Sequence, residues 1–226
     1  MHPMFAYEPT NEQIRITKLY ESAGRYKLTV STLKEPLIVS ICMVFKHRLK
    51  KGIVITQPQL EQLIAEAKVD ECDRLVGRML GYREHSVGEV RFKLKQKEIC
   101  PDAIESVVSK YVRSGLLDDH RFAEMLARRT LEKKAAWRPY IVAELQKKRI
   151  DRSLAERVVD DLLEDKDETG IAVAALERKW HQYAQIDIES ARKKAYNYLS
   201  RRGIGYGAAK AAFETLHRRT REETEN

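Results

Sequence analysis

The sequence contains no long hydrophobic segment that would place the chain in or across a membrane. Its longest apolar stretch, residues 36–45, is interrupted by Ser40 and is too short to span a bilayer. The first twenty residues lack the apolar core of a signal peptide. We therefore expect a soluble, cytoplasmic protein that makes no membrane contact.

The residues that build metal and catalytic sites are few and scattered. The three cysteines, Cys42, Cys72 and Cys100, form neither an even disulfide framework nor a close metal-binding pair. None of the six histidines lies at metal-ligand spacing from another histidine or a cysteine. A phosphate-binding glycine loop and a nucleophile elbow are also missing from the sequence. We expect reduced thiols, no catalytic residue, no cofactor and no metal.

Two features imitate functional sites, but their positions predict structural roles. Asp118 and Asp119 resemble part of a cation site, yet both stand where a helix is predicted to begin, which favours helix capping. Gly203, Gly205 and Gly207 follow a predicted helix rather than a strand. Their spacing therefore indicates a turn between helices, with Gly203 as the C-cap and Gly205 near the next N-cap.

Positive charge is the property that the sequence has in excess. The 42 Lys and Arg residues outnumber the 34 Asp and Glu residues, which gives a net charge of +8 and an isoelectric point near 9.3. This balance favours an anionic partner, and nucleic acid is the first candidate. The alternative is an ordinary helical surface rich in mixed charge, with no such partner.

The centre of the chain, residues 118–163, predicts three short helices. Asp118 or Asp119 caps the first, Pro139 occupies the first turn of the second, and Asp151 caps the third. Apolar residues recur at helical spacing after each start, as on a helix that buries one face.

This three-helix pattern occurs about three times at offsets of roughly fifty residues, which is typical of a helical repeat array. The sequences LKQKEI at 94–99, LQKKRI at 145–150 and LSRRGI at 199–204 share a leucine, a basic polar segment and an isoleucine. The register continues from Val107 and Val108 to Val158 and Val159, and then to Ala212 and Phe213. The predicted fold is mainly α: tandem three-helix repeats forming an elongated curved array.

The N-terminal region has a different pattern. Alternating apolar residues flank a hairpin turn at 21–24, and residues 37–40 suggest a third strand followed by a short helix that stops before Gly52. Thr56 and Gln59 fit a capping box, and a separate helix is expected to begin near Asp70. Residues 1–12 and the polar tail from Arg218 predict little order.

The resulting boundaries divide the chain into five segments. The predicted segments are a β-rich extension with short helices at 1–66, three repeats at 67–117, 118–166 and 167–220, and a frayed tail at 221–226.

The basic residues are the remaining candidates for a binding surface. Lys97, Lys148 and Arg202 occupy equivalent places at the ends of the three second helices. Cations at helix C-termini also offset the helix dipole, so a purely structural role is the alternative. Stacked repeats would turn such cations to one side, as a stripe suited to phosphates.

Aromatic residues near these cations have two possible roles. They could stack on bases, although their helical spacing favours a place in the core. These residues are Trp137, Tyr140, Trp180, Tyr183 and Tyr206.

Taken in order, the motifs resemble the RecX family of regulatory proteins over roughly residues 14–216. The resemblance rests on LLDDHRFA at 116–123, LKQKEI at 94–99 before a proline-led helix, and the arginine pair before Gly203. Gly24-Arg25-Tyr26 and the segment 49–52 look like an extension that some members carry. The family often has glycine where this chain has Glu98 and Arg149, and a glycine-rich joint where it has Ala135 and Ala136. These departures concern turn geometry.

The resemblance implies a non-enzymatic modulator of the bacterial RecA recombinase, and we expect the protein to be a monomer. Such proteins lie in the groove of the RecA–DNA filament and inhibit its ATPase, strand-exchange and co-protease activities. The resemblance supplies no catalytic residue. The residues expected to contact the filament or single- or double-stranded DNA are Arg91, Lys95, Lys97, Arg128, Arg129, Arg138, Lys147, Lys148, Arg201 and Arg202.

Two other functions remain open from the residues alone. A free-standing nucleic-acid-binding module would bind DNA without RecA and with a strong salt dependence. An adaptor array for another protein would have negligible affinity for DNA at physiological salt.

Overall fold

The structure, a computed structural model, describes residues 13–225. The predicted disorder of residues 1–12 lies outside this range. The described residues form two compact units: the first contains the chain up to Tyr82 together with Phe92–Lys110, and the second contains Arg83–Arg91 and the chain from Tyr111. Between residues 13 and 225, no helix combines the length and hydrophobicity that crossing a bilayer requires.

The first unit begins with a four-stranded antiparallel sheet. Its strands are β1 (Ile14–Ser22), β2 (Arg25–Val30), β3 (Leu37–Val39) and β4 (Val54–Ile55), in the order β3-β2-β1-β4. The predicted hairpin is confirmed, because Ser22 pairs with Arg25 across a turn in which Ala23 and Gly24 have positive φ. The short edge strand β4 was not predicted, since two residues carry no readable alternation.

Two helices follow the sheet in this unit. Helix α1 (Ile41–Lys46) ends earlier than expected, because the chain turns at Arg48 with φ of 50°. Helix α2 (Gln57–Tyr82) opens with the predicted capping box: the Gln59 amide donates to Thr56 Oγ1 at 3.4 Å, and the Thr56 amide donates to Gln59 Oε1 at 2.9 Å. Together α1, α2 and one sheet face enclose an apolar core.

The prediction of a separate helix starting near Asp70 is wrong. Helix α2 continues without interruption for 26 residues. Asp70 lies inside it, and its carboxylate accepts a hydrogen bond from Arg25 of β2 instead of capping a helix. No proline follows Pro58 in this helix, so every later residue keeps the amide donor that the helix needs.

Helices α3 (Val87–Lys95) and α4 (Pro101–Arg113) come next, and the boundary between the two units falls within each of them. Pro101 begins α4, as predicted from its missing amide donor. The apolar faces of the two helices are buried: Leu94 and Val90 on α3 and Ile104 and Val107 on α4 have at most 1% of their surface exposed.

The central helices of the second unit share one apolar core. They are α5 (Asp119–Lys134), α6 (Arg138–Lys147) and α7 (Arg152–Leu163). Asp118 caps α5 by accepting from the Arg121 amide at 3.0 Å, and Asp151 caps α7 by accepting from the Ser153 amide at 2.9 Å. Pro139 lies in the first turn of α6. These three helix starts are therefore confirmed.

The last helices of the second unit enclose a further core. They are α8 (Glu168–Glu177), α9 (Trp180–Tyr183), α10 (Ile188–Ser200) and α11 (Tyr206–Glu225). Asp187 caps α10 through the Ser190 amide at 2.9 Å. Helix α11 continues past Arg218, where the tail was expected to fray, because residues 218–225 contain neither glycine nor proline.

The same left-handed turn closes α3, α6 and α10. Glu98, Arg149 and Gly203 occupy equivalent positions with φ of 57°, 59° and 77°. In each turn, the amide of the following isoleucine donates to the leucine carbonyl five residues earlier, at 3.3, 3.2 and 3.2 Å respectively. The three sequence copies thus share one backbone geometry. The repeat boundaries at 67, 118 and 167 stay predictions.

Candidate nucleic-acid interface

The ten predicted contact residues differ in how their side chains are used. Half of them are exposed and make no side-chain hydrogen bond or ion pair with any residue between 13 and 225; we call these the free cations. The free cations are Lys95, Lys97, Arg128, Arg129 and Arg201.

Arg138 and Lys147 are engaged within the central helices. The Arg138 guanidinium donates to both carboxylate oxygens of Asp160, at 2.6 and 2.8 Å, and so ties the start of α6 to α7. This hydrogen bond lowers the pKa of the Asp160 carboxyl. Lys147 lies 2.6 Å from Glu144 on the same helix. The Arg138–Asp160 pair is about half exposed, so it contributes about 1 kcal/mol or less.

Lys148 belongs to a polar cluster around the buried Glu89 of α3. Burial raises the pKa of Glu89, but hydrogen bonds from Arg83 and the charges of Arg83 and Lys148 outweigh it, so the pKa lies below its ordinary value. The two Arg83 bonds are 3.1 Å long, and Lys148 Nζ is 3.4 Å from Glu89.

Arg202 stabilises the C-terminus of α5 together with an arginine that the sequence did not single out. Arg202 Nε donates to the Lys134 carbonyl at 2.8 Å, and its guanidinium lies 3.8 Å from the centre of the Tyr198 ring. Arg178 donates to the carbonyls of Lys133 and Glu132 at 2.8 and 3.1 Å. These carbonyls have no partner within their own helix, so the two arginines satisfy them.

The backbone at Lys148 and Arg202 forms two corresponding joints between neighbouring helix groups. Ser86, the residue before α3, donates its hydroxyl to the Lys148 carbonyl. Trp137, the residue before α6, donates its amide to the Arg202 carbonyl at 2.8 Å. The spacing that made these residues look like a stripe therefore also places them at equivalent structural joints.

Arg91 and Asp119 complete the first of these joints. Asp119 accepts from the Val87 amide at 2.8 Å, so it caps α3 rather than its own helix. Burial raises the Asp119 pKa, while the Val87 bond and the Arg91 charge act in the opposite direction. Capping therefore explains both Asp118 and Asp119, although they cap different helices.

The exposed face of α5 carries two of the free cations. Arg129 and Lys133 lie one helical turn apart and are both exposed. Arg128 borders a crevice that also contains Glu124 and Asp161. The Arg129 side of the helix is therefore the more favourable side for an anion.

An open groove in the first unit collects positive charge between α2 and α3. Its volume is about 420 Å³, and it is lined by Leu75, Arg78, Met79, Lys93, Gln96 and Lys97. None of these lining residues is acidic. Lys97 was predicted as a contact, whereas Arg78 and Lys93 were missed. The spacing of Leu75, Arg78 and Met79 on one helical face was the signal that could have found Arg78.

Most of the aromatic residues considered for base stacking serve the core. Trp180 donates to Thr220 Oγ1 at 2.7 Å and contacts Phe213 edge to face, and Tyr183 is buried. Trp137 packs against two of the apolar cores. Tyr206 differs, because 70% of its surface is exposed.

The candidate metal ligands and the cysteines were also located in the structure. Residues 13–225 contain no cluster of three His, Cys, Asp or Glu side chains able to hold a metal ion. All three cysteines are free thiols, and burial raises the pKa of Cys72 to about 11.

Comparison with known proteins places the chain in a family. A sequence profile described as "RecX, first three-helix domain" matches residues 78–110. A protein of Pelodictyon phaeoclathratiforme named "Regulatory protein RecX" is 32% identical over 139 residues, which cover 62% of this chain and 84% of that protein. The chain belongs to the RecX family of regulatory proteins.

Other RecX proteins extend the similarity over nearly the whole chain. A "Regulatory protein RecX" of Streptococcus thermophilus is 23% identical over 215 residues, 94% of this chain and 81% of that one. A "Crystal structure of regulatory protein RecX" has a TM-score of 0.64 at 19% identity and covers 88% of this chain and 99% of that chain. A "Crystal structure of RecX from Lactobacillus salivarius" has a TM-score of 0.59 at 23% identity, covering 66% and 97%. These two structures are similar in fold.

Proposed function

We propose that this RecX protein binds the RecA–DNA filament and lowers its ATPase, strand-exchange and co-protease activities. Membership of the RecX family carries the proposal. The fold supports it, because a filament repeats one subunit and a chain of similar three-helix groups can repeat one kind of contact. The free cations suit the DNA within such a filament. The protein acts by binding, and the proposal assigns no catalytic residue.

A titration of ATP hydrolysis by RecA tests this function. RecA is assembled on single-stranded DNA, and the RecX protein is added from far below to above the RecA concentration. We expect hydrolysis to fall at substoichiometric RecX, because one chain would contact several filament subunits. Single-stranded DNA is kept in excess, so that sequestration of DNA cannot produce the effect. Unchanged hydrolysis at saturating RecX would contradict the proposal.

Free-standing DNA binding is the second candidate, and the groove between α2 and α3 favours it. Three cations line this groove without a carboxylate among the lining residues. The candidate predicts DNA binding without RecA that weakens steeply as salt rises. Arg78→Glu with Lys97→Glu should flatten the logarithmic salt dependence by about 0.7 per lost phosphate contact on single-stranded DNA. An adaptor with no DNA function would show negligible binding at physiological salt.

A further inference from the structure

The open face of the N-terminal sheet has a composition that the helical repeats do not explain. One face of this sheet covers the core formed with α1 and α2. The opposite face is exposed to solvent, and strand pairing identifies its residues. Ser22 and Arg25, paired at the hairpin end, share this alternation, and Arg25 is bonded to Asp70. The other outward positions of paired strands are Arg15, Lys18, Tyr20, Lys27, Thr29, Ile38 and Val54.

Charge on this face has a single sign. Arg15, Lys18 and Lys27 are cations whose side chains make no hydrogen bond or ion pair with the rest of the described chain. No outward strand position of the sheet carries a carboxylate; Glu21 pairs with Tyr26, whose ring faces the core side. A surface of this kind attracts anions.

An exposed aromatic ring lies among these cations. Tyr20 has 48% of its surface exposed and pairs directly with Lys27 on the neighbouring strand. Lys18 lies two residues from Tyr20 on the same face of β1, a distance of about 7 Å along the strand. Ile38 pairs with Lys27 from the other side and is 40% exposed, so one row runs Ile38, Lys27, Tyr20 across three strands.

We propose that this open sheet face binds single-stranded nucleic acid, with a base stacked on Tyr20 and phosphates held by Lys18, Lys27 and Arg15. A base must be unstacked from its neighbours to lie flat on a ring, which a single strand permits and a duplex opposes. Lys27 has a paired strand on each side, and its pairing with Tyr20 of β1 and Ile38 of β3 fixes the spacing between the ring and this lysine. The site is made of residues other than the cations of the helical repeats and does not depend on RecA.

Binding of labelled oligothymidylate and of a labelled duplex to the full chain, followed by fluorescence anisotropy without RecA, tests this site. Lys18→Glu with Lys27→Glu should weaken single-strand binding at least tenfold and flatten its salt dependence by about 1.4. The matched control is Lys51→Glu with Lys68→Glu, which changes the net charge equally at exposed residues outside the strands. The control should retain most of the single-strand affinity.

Substitutions of the ring separate stacking from charge. Tyr20→Ala should weaken single-strand binding about tenfold and duplex binding little, because one stacked base is lost. Tyr20→Phe should bind like the wild type. Because Tyr20 is 48% exposed, circular dichroism should show an unchanged fold in both ring variants.

Three outcomes would overturn the proposal. The first is an equal loss of single-strand affinity in the Lys18/Lys27 variant and in the Lys51/Lys68 control, because net charge alone would then explain the loss. The second is single-strand binding that is indifferent to Tyr20→Ala. The third is unchanged single-strand binding by sheet variants that no longer affect RecA, which would assign the face to a protein partner. Failure here would leave the RecA titration with the wild-type chain unaffected.

Discussion

Individual residues at the three left-handed turns carry unequal strain for the same backbone shape. Residues with a Cβ pay about 1–2 kcal/mol for a positive φ, whereas glycine does not. Glu98 and Arg149 adopt this conformation with side chains, and Ala135 does so at the end of α5. The resemblance led us to expect glycine at or near these positions, and they are positions where glycine would relieve strain.

Gly203 is the position at which glycine is required for two reasons. A Cβ added there would lie 2.9 Å from the Tyr140 nitrogen and 3.2 Å from Pro139 Cδ, in addition to its positive φ of 77°. We expect Gly203→Ala to lower the free energy of unfolding by about 2 kcal/mol or more, measured by urea denaturation. Wild-type stability in this variant would show that the close approach to α6 is absent.

Glu98→Gly, at the equivalent turn after α3, should raise the free energy of unfolding instead of lowering it. The left-handed strain that glycine relieves exceeds the entropic cost of the more flexible unfolded chain. The net effect should be about 0.5 kcal/mol of added stability. The Glu98 side chain is exposed, so its loss should remove little packing. Urea denaturation again measures the change, and a lower stability would contradict the strain argument.

Glu66 predicts a pH-dependent contribution to stability. The hydrogen bond from His47, at 2.8 Å, is the main cause that lowers the Glu66 pKa from 4.5 to about 2. Because the folded pKa is depressed, this contribution is present above pH 4.5 and is lost as pH falls towards 2. Glu66→Gln should therefore be less stable than the wild type, by about 1 kcal/mol at pH 6.

The difference in stability between the wild type and Glu66→Gln should be smaller at pH 4 than at pH 6, and smaller again at pH 3. The urea midpoints of the two proteins measure it. In a His47→Gln background the difference should be smaller throughout, because the main partner is gone. A difference that stays constant from pH 6 to pH 3 would refute the assignment.

At the scale of elements, helix starts in this protein serve two purposes. Several are capped by their own N-cap side chain, as at Asp118 and Asp151, which is a local matter. The start of α3 is also capped by Asp119 from α5 and is bonded through Ser86 to the Lys148 carbonyl. A cap of this second kind joins helix groups as well as ending a helix.

Ser86→Ala should therefore cost more than the loss of an ordinary cap. Ser86 is fully buried, accepts from the Glu89 amide at 2.9 Å and donates to the Lys148 carbonyl. Losing the cap and leaving that carbonyl without its partner should together lower stability by about 2–3 kcal/mol.

The comparison variant is Asp167→Ala, which removes a cap serving only α8. It should cost about 1 kcal/mol in the same denaturation experiment. Equal losses in the two variants would mean that the Ser86 bond to Lys148 contributes nothing to the joint.

At the scale of the whole molecule, the excess positive charge divides into cations that hold the fold and cations that remain available. Arg138, Lys148, Arg178 and Arg202 belong to the first group. The free cations belong to the second, together with Arg15, Lys18 and Lys27 on the open sheet face. Net charge alone therefore overstates the surface that a nucleic acid can use.

Charge reversal should separate these two groups. Arg128→Glu with Arg129→Glu should flatten the salt dependence of single-strand DNA binding by up to about 1.4, with little change in thermal stability. Arg202→Ala should instead lower the free energy of unfolding by about 1–3 kcal/mol, because the Lys134 carbonyl loses its donor. Salt titrations and thermal melts of both variants measure this, and a destabilised Arg128/Arg129 variant would contradict the division.

Much of the local structure was readable in the sequence because its causes are local. The capping box at Thr56, the caps at Asp118, Asp151 and Asp187, and the proline starts at Pro101 and Pro139 all arise within one helical turn. The same holds for the three left-handed turns, whose leucine and isoleucine spacing marks a helix end. The family resemblance was readable for the same reason, since it rests on these ordered local signals.

The tertiary structure decided which partner each polar side chain finds. Asp119 looks like a cap of its own helix, and a helix was expected to begin near Asp70. In the structure their carboxylates accept hydrogen bonds from residues distant in sequence, Val87 and Arg25. Lys97, Lys148 and Arg202 are equivalent in the repeat, yet only Lys97 is free. A hydrogen bond or ion pair acts over a few ångströms in space, and repeat position does not specify which chain segment lies within that distance.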